Sequence, residues 1–463
     1  MAEAKFLTGS LFRHVTVMSL TASLGLMAVF IVDFVDMIFI SMLGKAELAA
    51  AVGYAGAILF FTTSFGIGLA IAAGALVARA LGAGDEALAR ERTTHALAYG
   101  FIFSVAFASC VWMTLDVLVA LLGATGETAA LAVHFMQIIV PSMPILIMGM
   151  MGSAILRAHG DARRAMLCTI SGGVVNAVLD PVLIFGLDLE LTGAAIASVI
   201  ARVVICAMAL WPLAKIYGGL IRPKPLGMAR DLSPILAIAF PAILAQIATP
   251  VGQAFVTREM AAYGEEAVAG MAVVGRLIPV AFGVIFALSG AVGPIIGQNF
   301  GAGNTDRVRR GFNAAVIFVA VVIVLVSTIL FLARGAIADL FGAYGLTRDL
   351  IYLFCGPLAL AFFFPGVLFV ANAAFNNLGH PFYSTFTNWG RNAIALIPLV
   401  WIGSALGGAQ GVLIGQALAG VLFGALSWVL ALRVIAEGQG KPLPKQDLFG
   451  REGRLMTLFQ QRR

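Results

Sequence analysis

The chain reads as an all-α polytopic membrane protein, and three observations carry that reading. Of its 463 residues, 61% are hydrophobic and 11% charged, with a mean hydropathy of +1.00, more apolar surface than a soluble core can bury. Apolar stretches of about twenty residues, the length a helix needs to cross a bilayer, recur along nearly the whole chain. The second half of the sequence also repeats the first. Together these predict twelve transmembrane helices in two pseudo-symmetric six-helix bundles.

Bounded by charges or by Gly and Pro breaks, the spans centre in 15–40, 49–80, 94–123, 130–156, 165–187, 192–214, 234–260, 266–297, 311–333, 347–373, 383–404 and 409–435. The first apolar run is too long for the core of a cleaved signal peptide and is read as a span. Cationic residues gather on alternate connections: Lys5 and Arg13, then Arg79, Arg90 and Arg92, then Arg157, Arg163 and Arg164, then Lys215 to Arg230, then Arg307 to Arg310, then the tail. The other side holds Lys45, Arg258, Arg334 and Arg348. By the positive-inside rule both termini are expected in the cytoplasm, which requires an even number of spans. The expected organisation is an N-terminal lobe (1–214), a cytoplasmic linker (215–233), a C-terminal lobe (234–437) and a cytoplasmic tail (438–463). Cys110, Cys168, Cys206 and Cys355 stand singly in apolar segments, so no disulfide or metal framework follows. The net charge of +6 is explained by the cytoplasmic cations rather than by nucleic acid.

A shift of 219 residues carries Gly82-Ala83-Gly84 onto Gly301-Ala302-Gly303, Gly74 onto Gly293, Arg90 onto Arg309 and Gly160 onto Gly379. Each half holds an even number of spans, so the copies enter from the same side and an axis along the membrane normal relates them. A cavity between two rocking bundles is the expected consequence.

The halves differ in their buried acids. Asp180 lies within the fifth apolar span, in SGGVVNAVLDPVLIF (171–185). A carboxylate in hydrocarbon costs a few kcal/mol or more, so such a residue faces a polar cavity and marks an ion or substrate path. Asn176, four residues earlier, shares its helical face, and Pro181 removes a backbone donor. The same shift lands Asp180 on Leu399 and Asn176 on Ala395. Asp33 and Asp36 in the first span have no acidic counterpart either, and their spacing alone leaves open which one faces the cavity. A cation site built from the N-terminal lobe follows.

These segments resemble a multidrug and toxic compound extrusion (MATE) transporter of the DinF-like, archaeal-type branch. VDMIFISMLG (35–44) is similar to the family's first-span motif and sets Asp36 on its functional carboxylate. LRAHGDARRAM (156–166), NAVLDP (176–181) and LTGAAIASVIAR (191–202) resemble its spans four to six, and GQNFGAGN (297–304) its loop after span eight. The resemblance implies a cation-binding set of Asp36, Asn176, Asp180 and Ser198. If Asp36 and Asp180 face each other they titrate as one unit. Asp33, Ser153 and Arg157 are the candidates for a substrate pocket. The NorM-like branch instead carries acids where this chain has Thr249 and Val367. Thr21 stands where relatives have a first-span proline, which puts a proline-driven bend of that helix in doubt.

The expected function is secondary active export of amphipathic, cationic compounds in exchange for H⁺ or Na⁺, by a monomer in the cytoplasmic membrane of a bacterium or archaeon. No cofactor, nucleic acid or metal beyond Na⁺ is expected. No GxxxxGK[ST] loop offers nucleotide hydrolysis. A lipid or lipid-linked saccharide flippase is the alternative. An intramembrane aspartyl protease, which the GxGD pattern at Gly82–Asp85 would allow, is disfavoured by the surrounding charges.

Overall fold

A computed structural model describes residues 4–218, 220–223 and 225–438, and among these the chain is helical with no strand. The first six spans are α1 (Leu11–Met42), α2 (Ala46–Gly82), α3 (Glu86–Met113), α4 (Gly126–Ala158), α5 (Ala162–Gly186) and α6 (Glu190–Lys215). The second six begin with α7 (Pro225–Ala261). Next come α8, made of Glu265–Ala281 and Gly283–Gly301, then α9 (Thr305–Leu340) and α10, made of Gly345–Ala361 and Phe363–Leu378. The last two spans, α11 (381–406) and α12 (409–437), follow one another as a hairpin. Of the tail expected over 438–463, all but Gly438 lies outside the described residues.

Among the described residues ten helices are long and apolar enough to cross a membrane, or eleven when the two parts of α10, bent by 44°, count as one span. The segment 381–437 is too long for one crossing. At Gly407 and Gly408 the backbone leaves the helical region, with Gly408 at φ 56°, a conformation natural to glycine. The two arms then run back along each other. A Cβ at Gly403 would lie 2.1 Å from the Gly411 carbonyl oxygen, and one at Gly415 would lie 2.4 Å from that of Leu399. Dividing this hairpin turns eleven spans into twelve.

Two apolar cores correspond to the two lobes, with an exchange at their seam. The front core spans residues from Ile40 to Leu213 but also takes Ile235, Ile238 and Ala239 from the start of α7. The rear core takes Phe6, Leu11, Val15 and Met18 from the start of the chain. Each lobe thus lends the beginning of its first helix to the other.

The seam is sealed at the end bearing the two GAG turns. Arg79, 1% exposed, donates from Nε to the Asn377 carbonyl at 2.8 Å and from Nη2 to that of Asn376 at 2.7 Å. Its repeat counterpart Gln298 donates to the Ala158 carbonyl at 2.8 Å. The pairs Arg79–Asn377 and Gln298–Ala158 are the same contact under the shift of 219. The glycines obey the same symmetry: a Cβ at Gly82 would meet the Gln298 oxygen at 2.0 Å, and one at Gly301 the Arg79 oxygen at 2.1 Å. His95, paired with Asp231 at 2.7 Å, and Tyr99, donating to the Met228 carbonyl, pin the start of α7 onto α3 at this end. At the far end, hydrogen bonds such as Lys45–Glu190 and Tyr263–Ser404 join helices of one lobe.

Candidate functional site

α1 is an uninterrupted 32-residue helix. Thr21, at the position where the resemblance expects proline, turns its hydroxyl back onto the Val17 carbonyl at 2.6 Å. The helix carries Asp36 to within six residues of its far end, about 9 Å along the axis. α5 runs alongside. It continues through Pro181 and then widens into a π-turn over Val182–Gly186, the kind of local adjustment that accommodates backbone groups freed by a proline.

Between these helices three of the four residues predicted for the cation set meet. The Asn176 Nδ2 group donates to both oxygens of Asp36, at 3.1 Å each, and to Asp180 Oδ2 at 2.9 Å. Asn176 thus bridges the two carboxyls. Asp180 is fully buried, Asn176 is 4% exposed, and Asp36 is half-buried. Asp180 Oδ1 has no partner. One amide group with two protons thus serves three carboxylate oxygens, and a fourth is left over. That set of oxygens is short of positive charge, which a shared proton or a small cation would supply. As drawn, Asn176 acts as a donor to the acids; holding a metal cation would require its amide to turn its oxygen inward.

The other described candidates make no hydrogen bond to this cluster. Ser198 is half-buried on α6, with no hydrogen bond to the three residues. Ser153 is buried on α4 and faces Cys168 of α5. Arg157, at the end of α4, reaches across the seam to Gly290 of α8. The side chain of Asp33 lies outside the described ones. Asp85 has a structural duty: its carboxylate caps α3 by accepting from the Leu88 amide at 2.9 Å.

Sequence reasoning missed the seam. Arg79 counts toward the positive-inside pattern, yet it is buried and spans the lobes. The signal available was its repeat position, where Gln298 also carries a side-chain donor. Spacing cannot say where Arg202, a cation within α6, is aimed; its Nη1 donates to the Ile139 carbonyl at 3.0 Å and to Ser142 Oγ at 2.8 Å, where α4 breaks.

Two six-helix lobes sealed at one end around an internal charged site make up a membrane transporter, not an enzyme. Residues 22–182 and 241–402 each match the MatE family model, the two blocks beginning 219 residues apart, and the chain belongs to the MatE family. It is 27% identical to a FAD transporter of Shewanella oneidensis over 90% of this chain and 93% of that protein. To the multidrug export protein MepA of Staphylococcus aureus it is 24% identical, over 87% and 89%. Its fold is shared with a mutant of the Vibrio cholerae MATE transporter VcmN, at TM-score 0.88, 24% identity and 92% and 97% coverage. A MOP superfamily transporter from Pyrococcus furiosus superposes at TM-score 0.87, with 22% identity and 95% and 99% coverage.

Proposed function

We propose that this chain exports small amphipathic molecules across a bacterial or archaeal cytoplasmic membrane, in exchange for protons taken up at Asp36 and Asp180. The observation that carries the reading is the Asp36–Asn176–Asp180 cluster with its unpartnered buried oxygen. Two carboxyls bridged by a single amide accommodate one shared proton. Losing that proton leaves adjacent like charges between α1 and α5 and gives the front lobe a reason to rearrange. With both termini placed in the cytoplasm by the basic residues, the sealed GAG end faces inward and the far end outward. Ser198 and Asp33 stay candidates for the ion path, and Ser153 and Arg157 for the cargo pocket.

The relatives support export but differ in cargo: MepA is named for multidrug export, whereas the Shewanella protein is named for FAD, which carries two phosphates. The test is ethidium efflux from proteoliposomes under pH and Na⁺ gradients imposed separately, with wild type beside Asp36→Asn. Efflux driven by the pH gradient alone and lost in the variant is expected. Efflux driven by Na⁺ alone would reassign the ion, and dependence on neither would remove antiport.

A further inference from the structure

Two guanidinium groups inside the protein lack the partners that Arg202 has. Arg391 sits in the π-turn Gly390–Ile394 of α11, half-buried, and its Nη1 has no accessible surface and no hydrogen-bond partner. Among the described residues, neither Arg391 nor Arg157 makes an ion pair. The two are linked through aromatic rings. Arg391 Cζ lies 5.8 Å from the centre of the Phe369 ring, and Phe369 packs against Phe286 at 5.3 Å. Phe286 stands one turn from Gly290 on α8, where a Cβ would lie 3.6 Å from Arg157 Nε and 3.8 Å from its Nη2. Both rings are half-buried, so each keeps an open portion.

A cation in apolar surroundings without a counterion is costly and persists where something else completes it. The guanidinium fork matches oxyanions in two-point geometry, which an ammonium cannot do. A half-open pair of phenylalanines offers a face to a planar ring. This set lies in the rear lobe and at the seam, while the acids lie in the front lobe, so cargo and proton need not compete for one site. We infer that Arg157, Arg391, Phe286 and Phe369 bind a planar aromatic molecule carrying phosphate. The inference rests on the exporter reading and adds an anionic class of cargo beside the cationic class expected from sequence.

Flavin mononucleotide and riboflavin share one ring system and differ by a phosphate, so their binding to the purified full-length protein, read by fluorescence anisotropy, isolates the charge. Wild type is expected to bind the mononucleotide at least about tenfold tighter. Arg157→Gln and Arg391→Gln should each bring the ratio to within about threefold, with an unchanged melting midpoint in detergent as evidence of folding, and Arg391→Lys should fall between. Equal affinity for the two ligands in wild type, or an unchanged ratio in both Gln variants, overturns the proposal. Should neither Gln variant fold, competition by inorganic phosphate against the mononucleotide on wild type decides: displacement supports the site, and its absence overturns it. Ethidium efflux from the same preparation reports on the exporter reading separately, since failed coupling leaves the ligand ratio untouched.

Discussion

The front and rear lobes share a scaffold and diverge in charge. At the seam they are equivalent: Arg79 and Gln298 reach the same mirrored carbonyl, and Gly82 and Gly301 admit the same backbone contact. Away from the seam the likeness ends. α5 carries Asn176 and Asp180 facing Asp36, whereas its mirror α11 has Ala395 and Leu399 at those positions, Phe255 mirrors Asp36, and α11 holds Arg391 instead. Positions that fit the lobes together are thus held to the shared plan, because a change on one side must be met on the other. Interior positions within one lobe carry no such constraint, and the two lobes acquire opposite charge there.

The largest expected effect falls on the acids. Asp36→Asn or Asp180→Asn should lower gradient-driven efflux about ten- to a hundredfold, as the loss of one or two charge-assisted hydrogen bonds would. The mirrored change Leu399→Met should leave it within about twofold; equal losses at both positions would break the asymmetry. Next come the glycines. Gly82→Ala and Gly301→Ala should each disfavour closure of the GAG end by about 1–3 kcal/mol, an overpacking cost, read as increased labelling of cysteines placed across the seam. Because the contacts are symmetric, the two variants should match. Arg79→Ala should open the seam more than Gln298→Ala, since Arg79 loses two charged bonds to carbonyls and Gln298 two neutral ones, to the Ala158 carbonyl and from the Phe6 amide.

The smallest effect concerns the turn after α4. His159 stacks on Tyr217 at 4.3 Å and is pushed by burial from its ordinary 6.5 down to about 4, with Lys5 adding to the shift and Asp161 opposing it. A histidine with a depressed value binds fewer protons folded than unfolded. Its contribution is therefore complete above about 6.5 and is lost as pH falls toward 4. Thermal stability in detergent should drop by about 1–2 kcal/mol across that window. His159→Leu, which installs the residue found at the mirrored position Leu378, should flatten the slope.

The spans were legible because each is a run of twenty or so apolar residues, and Asp180 because an acid in hydrocarbon demands a reason, whereas the choice of Asp36 over Asp33 came from the family resemblance alone. Other features left no such trace. A cation at a helix end looks the same whether it meets water, as Arg90 does, or crosses between lobes, as Arg79 does. The approach of His95 to Asp231 joins residues 136 positions apart and follows no periodicity. Arg391 is a cation within an apolar span, and what it faces depends on how α8, α10 and α11 pack.

The turn at Gly407 and Gly408 bears on how the protein is made. Between Gly403 and Gly411 there is no charged residue to hold the turn outside as it emerges from the ribosome, and the arms on either side already touch main chain to main chain. The last two crossings are therefore best delivered to the lipid together, as a preassembled wedge, so a bulky side chain at Gly403 or Gly411 would strike biogenesis before it could affect export.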